Sequence, residues 1–198
     1  MVYSYNNIGI VYKYQGKYEQ ALAYYDKCLK IDEETGNKRG IATSLGNIGN
    51  IYKEQGNYKQ AQVHYSKSLK VKQEIGDKKG IATSYNNMGA IYFEQGNYQQ
   101  ALEYFDKSIK IKEEIGDKMG IADSYGNIGS IYKNQGNYEQ ALAYYDKCLK
   151  IKEEIDDKKG MALAYLNLGS LSFNQGNYSE ALDLGKKALA LAQEVGAV

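Results

Sequence analysis

The sequence predicts an all-α solenoid of about ten antiparallel helices, paired as five helix-turn-helix hairpins in one array. Three observations predict it. Near-copies of the segment Gly49 to Gly80 recur forty residues apart: Gly9, Gly49, Gly89, Gly129 and Gly169 hold one register, and Gly16, Gly56, Gly96, Gly136 and Gly176 hold another. Tyr18, Tyr58, Tyr98, Tyr138 and Tyr178 hold a third, and Ala21, Ala61, Ala101, Ala141 and Ala181 a fourth. Proline is absent and the apolar residues follow helical spacing, as Leu45, Ile48, Gly49 and Tyr52 do at i, i+3, i+4 and i+7. Most helix patterns also end at a glycine followed by a residue suited to cap the next helix. Stacked repeats of this kind form one continuous unit, each contacting only its neighbours.

In chain order, the A helices are expected over residues 2–15, 38–55, 78–95, 118–135 and 158–175, and the B helices over 18–35, 58–75, 98–115, 138–155 and 178–195. The repeats are then about 1–37, 38–77, 78–117, 118–157 and 158–198 of a single array. Gly56 ends one helix because glycine takes the left-handed conformation without a Cβ penalty. Asn57 caps the next, with Gln60 at the N3 position of a capping box. The same grammar recurs as Asn97 with Gln100, Asn137 with Gln140 and Asn177 with Glu180, while Lys17 leaves the first B helix poorly capped. Along the second B helix, Ala61, Tyr65, Ser68, Leu69 and Lys72 trace the packing stripe, with Lys72 snorkelling at its edge. Gly76 stops that helix and Asp77 caps the one after it; Gly36 with Asn37 and Gly116 with Asp117 repeat the joint. At the fourth joint Asp156 replaces glycine, so strain or rearrangement is expected there. Gly49 and Ala61 are small where two helices cross, and Tyr52, Tyr58 and Tyr65 fill the space around the crossing.

Composition narrows the function classes. The chain has 198 residues, 43% of them hydrophobic, and no apolar run approaches the roughly 18 residues of a membrane span. The 25 basic and 24 acidic residues give a net charge of +1, which favours neither nucleic acid nor an acidic membrane surface. No leader is visible. MVYSYNNIGI aligns with IATSYNNMGA at Ile81 to Ala90, so the first helix reads as truncated and the chain as a fragment of a longer array. Cys28 and Cys148 sit at equivalent positions three repeats apart, beyond disulfide reach in a straight stack, which fits a reducing, cytoplasmic location.

The pattern resembles the tetratricopeptide repeat. It runs through Tyr85, Asn87-Met88-Gly89, Tyr92, Gly96, Tyr98, Ala101, Phe105 and Ser108, and recurs in five registers. Two departures stand out. The proline that often closes the repeat is replaced by Glu33, Gln73, Glu113, Glu153 and Gln193, and the period is forty rather than 34 residues. The longer period is similar to a subgroup found in scaffold and signalling proteins. The resemblance implies a right-handed superhelix whose A helices line a concave wall, and a non-enzymatic interaction function.

No catalytic set emerges. His64 is the only histidine and stands where other repeats carry Tyr24, Tyr104, Tyr144 and Leu184, so it reads as a packing or surface substitution. The cysteines occupy a small-residue position shared with Ser68, Ser108 and Ala188 and read as buried small hydrophobes. No metal or cofactor is expected, and the glycines form no phosphate loop.

Helical spacing picks out a stripe on the A helices that points away from the B helices. It comprises Asn6 and Lys13; Arg39, Thr43, Asn50 and Lys53; Lys79, Thr83, Asn86 and Phe93; Asp123, Ser130 and Lys133; and Lys159, Ser170 and Phe173. Small central residues leave room, amides suit a peptide backbone and the cations flank them, which fits an extended acidic segment or a chain-terminal carboxylate. The recurring Asn7, Asn47, Asn87, Asn127 and Asn167 read instead as ties between repeats. Residues Tyr18 to Ile31 are identical to Tyr138 to Ile151, and repeats this alike predict apolar ends open to end-to-end self-association. The expected function is a scaffold for a protein or peptide partner. The alternatives are a sensor array of a larger signalling protein and a self-assembling spacer.

Overall fold

The computed structural model describes residues 2–196, apart from the side chain of Tyr3. Met1 and 197–198, at the ends of the first and last expected repeats, lie outside the described residues. Among the described residues there are ten α-helices and no strand: α1 (Val2–Tyr14), α2 (Tyr18–Glu34), α3 (Lys38–Glu54), α4 (Tyr58–Glu74), α5 (Lys78–Glu94), α6 (Tyr98–Glu114), α7 (Lys118–Asn134), α8 (Tyr138–Glu154), α9 (Lys158–Asn174) and α10 (Tyr178–Glu194). The chain divides into two compact units, Met1–Asn97 and Tyr98–Val198. Within each unit, successive helices pack on one another.

Each helix stops one residue short of its expected end, and the turn shows why. Gly56, at φ +72°, donates its N–H to Lys53 O at 2.9 Å, and Asn57 donates to Tyr52 O at 2.8 Å. This is a Schellman closure. It consumes the Asn57 N–H, so Gln60 cannot complete the expected capping box. Only the forward half forms, with the Gln60 N–H donating to Asn57 Oδ1 at 3.3 Å. Asn177 makes no side-chain cap bond, against expectation, and Lys17 makes none, as expected. The A-helix caps form as read at Asn37, Asp77 and Asp117, which accept from Gly40, Gly80 and Gly120, and Asp157 likewise accepts from Gly160. The Asp156 joint is strained but not rearranged. Its φ is 53°, and it keeps the joint's bonds, Asp156 N to Glu153 O at 3.1 Å and Asp157 N to Lys152 O at 2.9 Å.

The core of the first unit centres on Ala21, Tyr25, Ile48 and Ile51, and that of the second on Ala141, Tyr145, Leu168 and Leu171. Close crossings are what the register glycines provide. A Cβ on Gly49 would lie 2.7 Å from the Tyr65 ring, and one on Gly129 would lie 2.6 Å from the Tyr145 ring. The fifth hairpin departs from this scheme. Gly185 replaces the aromatic residue, and a cavity of about 570 Å³ opens beside Gly169, Phe173 and Tyr178.

Candidate binding surface on the A helices

The first unit carries the stripe residues Asn6 and Lys13 on α1, Arg39, Thr43, Asn50 and Lys53 on α3, and Lys79, Thr83, Asn86 and Phe93 on α5. The second carries Asp123, Ser130 and Lys133 on α7, and Lys159, Ser170 and Phe173 on α9. Arg39, Thr43, Lys79, Thr83, Asp123, Lys159, Ser170 and Phe173 are exposed, and the others are half-buried. Many already have partners within the chain. Asn50 Oδ1 accepts from the Tyr65 hydroxyl at 2.5 Å, and Ser130 pairs with the Tyr145 hydroxyl at 3.1 Å. Lys13 pairs with Glu54 at 2.9 Å, and Lys133 donates to Ser170 Oγ at 3.3 Å. The hydroxyls of Thr43 and Thr83 return to the carbonyls of Arg39 and Lys79 on their own helices. Asn6 accepts from Asn47 at 3.0 Å, so one recurring asparagine ties α3 to α1.

The stripe is not flat. In the first unit Asn6, Arg39 and Thr43 border a cavity of about 480 Å³ with Cys28 and Asp32 on its inner wall. In the second unit Asp123, Ser130 and Leu163 border one of about 270 Å³ with Cys148 and Lys152 on its inner wall. The two cavities are built from register-equivalent positions three repeats apart, as Cys28 with Cys148, Asp32 with Lys152, and Gly40 with Gly160 show.

The residues at that inner wall correct the sequence reading. The lysines in the Lys72 register do not snorkel; they bond inward. Lys72 Nζ donates to Ser84 Oγ at 2.9 Å. Lys112, 6% exposed, donates to Gly120 O at 2.9 Å and to Ser124 Oγ at 2.8 Å. Lys152, 5% exposed, donates to Asp123 at 2.6 Å and to Asp157 at 2.9 Å. The cause is geometric: the next A helix crosses over this position, so the ammonium cannot reach water and takes neighbouring oxygens instead. Burial lowers the pKa values of Lys72 and Lys112. At Lys152 burial also acts downward, but hydrogen bonds to Asp123 and Asp157 outweigh it and raise the value. Asp123, a member of the candidate stripe, also pairs with Lys152 of the wall and stays exposed. The signal for this layer was legible as a charged residue recurring inside an apolar stripe.

His64 packs rather than catalyses. It stacks on Tyr52 with ring centroids 5.4 Å apart, matching Tyr12 on Tyr24 at 5.6 Å and Tyr132 on Tyr144 at 5.5 Å. Burial first, then the Lys67 charge, lowers its pKa. A histidine held neutral by the fold contributes its full stability above its unfolded pKa of about 6.5 and loses it as pH falls through the lower folded value. We expect the melting temperature of the wild type to drop more steeply than that of His64→Tyr between pH 7 and pH 5. Parallel melting curves for the two proteins would refute this. Both cysteines are buried and free, and burial raises their thiol pKa values. Among the described residues, no group of three His, Cys, Asp or Glu could hold a metal ion. No described helix is long and apolar enough to cross a membrane.

Paired helices closed by Schellman turns, small-residue crossings and stripe-lined cavities at register-equivalent positions define a helical-repeat solenoid. The tetratricopeptide repeat model matches residues 1–74, 40–114, 80–154 and 120–194, and the chain belongs to that family. The fold is generally a non-enzymatic interaction scaffold. No curated protein sequence matches the chain. Solved structures share its fold at low identity. BtubC from P. vanneervenii is 18% identical with a TM-score of 0.81, over 96% of this chain and 79% of that one. Aspartyl phosphate phosphatase F from Bacillus subtilis is 17% identical with a TM-score of 0.90, over 100% and 52%. A Rap protein complexed with Competence and Sporulation Factor is 17% identical with a TM-score of 0.84, over 98% and 54%.

Proposed function

We propose that the five hairpins act as one array, a protein-interaction scaffold that holds an extended segment of another polypeptide along its A helices. The observation that carries this reading is that each unit has a cavity on its A-helix stripe, built from register-equivalent positions. A preformed surface of this kind leaves little ordering cost on the receptor side. The Rap protein of like fold, complexed with Competence and Sporulation Factor, supports it by analogy. The exposed cations Arg39, Lys79 and Lys159 favour a segment with acidic groups or a terminal carboxylate near them.

The test is capture from native lysate by the wild type and by the triple variant Arg39→Glu/Lys79→Glu/Lys159→Glu. All three positions are exposed, so the variant keeps the fold, as circular dichroism will verify. Each reversal weakens an exposed charge contact by up to about 1 kcal/mol, so roughly tenfold or greater loss of the partner is expected. Equal retention would move the site off this stripe. A second reading, self-assembly by end-to-end stacking, is favoured by apolar surface at both ends. Val11 is 53% exposed on α1, and Leu166 and Leu189 border an apolar groove of about 430 Å³ between α9 and α10. Capture of the chain alone would favour that reading.

A further inference from the structure

We infer that the cavity of the first unit receives a basic side chain of the bound polypeptide, with the Asp32 carboxylate as its counter-ion. This deepens the peptide-binding reading and rests on it for the source of the cation. The register shows the anomaly. Lys72, Lys112 and Lys152 are each followed five residues later by Asp77, Asp117 and Asp157, a neutral pair at every such joint, whereas the first joint holds Asp32 and Asn37. That joint is one negative charge out of balance.

Asp32 is 2% exposed. Its Oδ1 accepts from Asn37 Nδ2 at 2.8 Å. Its Oδ2 is buried and accepts from no donor among the described residues. The carboxylate lies flat on the backbone of Gly40, where a Cβ would collide with it. A buried carboxylate oxygen without a donor is among the costliest groups a fold can hold. This one borders a cavity whose wall also includes Val2, Cys28, Ile31 and Thr43. The apolar part of the wall, Val2, Cys28 and Ile31, beside one buried anion and with Arg39 at the rim, suits a lysine or arginine side chain, its methylenes on the wall and its charge against the carboxylate. An acidic side chain would add a second negative charge, and a neutral donor would leave the charge uncompensated. In the equivalent cavity of the second unit, Lys152 is already satisfied by Asp123 and Asp157 and makes no such demand. The first unit's cavity therefore selects charge, which fixes the register of a ligand segment that enters it.

The test is titration of the full chain, followed by amide NMR, with Nα-acetyl-lysine methylamide and Nα-acetyl-arginine methylamide. Saturable shifts are expected at Cys28, Ile31, Asp32 and Thr43. Binding should weaken at least tenfold for uncharged Nα-acetyl-norleucine methylamide, and by as much for the lysine probe with Asp32→Asn. Asp32→Lys, which carries the residue of the other three joints and so suits the fold, should also lose the response. Three results would overturn the inference: equal affinity for the norleucine probe, undiminished binding by both variants, or no saturable response in either the wild type or Arg39→Ala, which clears the chain's own guanidinium from the rim. Tighter binding of 1,4-diaminobutane than of either blocked residue would overturn the polypeptide source. A partner captured equally by wild type and Asp32→Asn, with no response to the basic probes, sinks this inference and leaves the scaffold reading standing. Probe binding that survives in the triple stripe variant, while the partner is retained equally, does the reverse.

Discussion

Tyr145→Ala is expected to destabilise the second unit by about 3–5 kcal/mol, read as a lowered urea midpoint at unchanged slope. The ring is fully buried and packs with Ala141, Leu168 and Leu171 against the open face of Gly129. Alanine would leave a hole bounded by two helices, and rigid helices collapse poorly into such a hole. Tyr145→Phe separates the contributions. It removes only the hydroxyl's contact with Ser130 at 3.1 Å, at a rim where water can replace it, so about 0.5–1.5 kcal/mol is expected. A loss below about 1.5 kcal/mol for the alanine variant would show that the crossing is held elsewhere. The fifth hairpin carries Gly185 at this register and holds an open cavity there, so the ring is not needed for the hairpin to form. What the ring supplies is packing.

Gly129→Ala is expected to destabilise the same unit by about 1–3 kcal/mol, although alanine is the better helix former by about 1 kcal/mol. The new Cβ would sit 2.6 Å from two carbons of the Tyr145 ring, and a ring at 0% exposure has nowhere to move. Gly169→Ala is the control. Its Cβ would meet Ala181 O at 3.3 Å and no ring, so this variant should cost clearly less than Gly129→Ala. The double variant Gly129→Ala/Tyr145→Ala should be less destabilised than the sum of the two, because removing the ring relieves the clash. Strict additivity in chemical denaturation would refute the contact.

The sequence by itself determined the helices, their joints and the family. These rest on local chemistry: the forty-residue register, glycine at positive φ, and Asn or Asp at the cap positions. Each is a short-range device, so a linear reading suffices. It also proposed a stripe of candidate contacts, but could not show which members have partners within the chain, since those of Asp123 and Asn6 come from Lys152 on α8 and Asn47 on α3. Only the tertiary structure decided the inner wall of the cavities. Lys72 and Asp32 share one register, and on a single helix both look like charges at the edge of an apolar stripe. The next A helix passing over that position removes water from it, so a lysine must find oxygens and an aspartate must find a donor. Burial by a different helix is a property of packing, and no spacing within one helix records it.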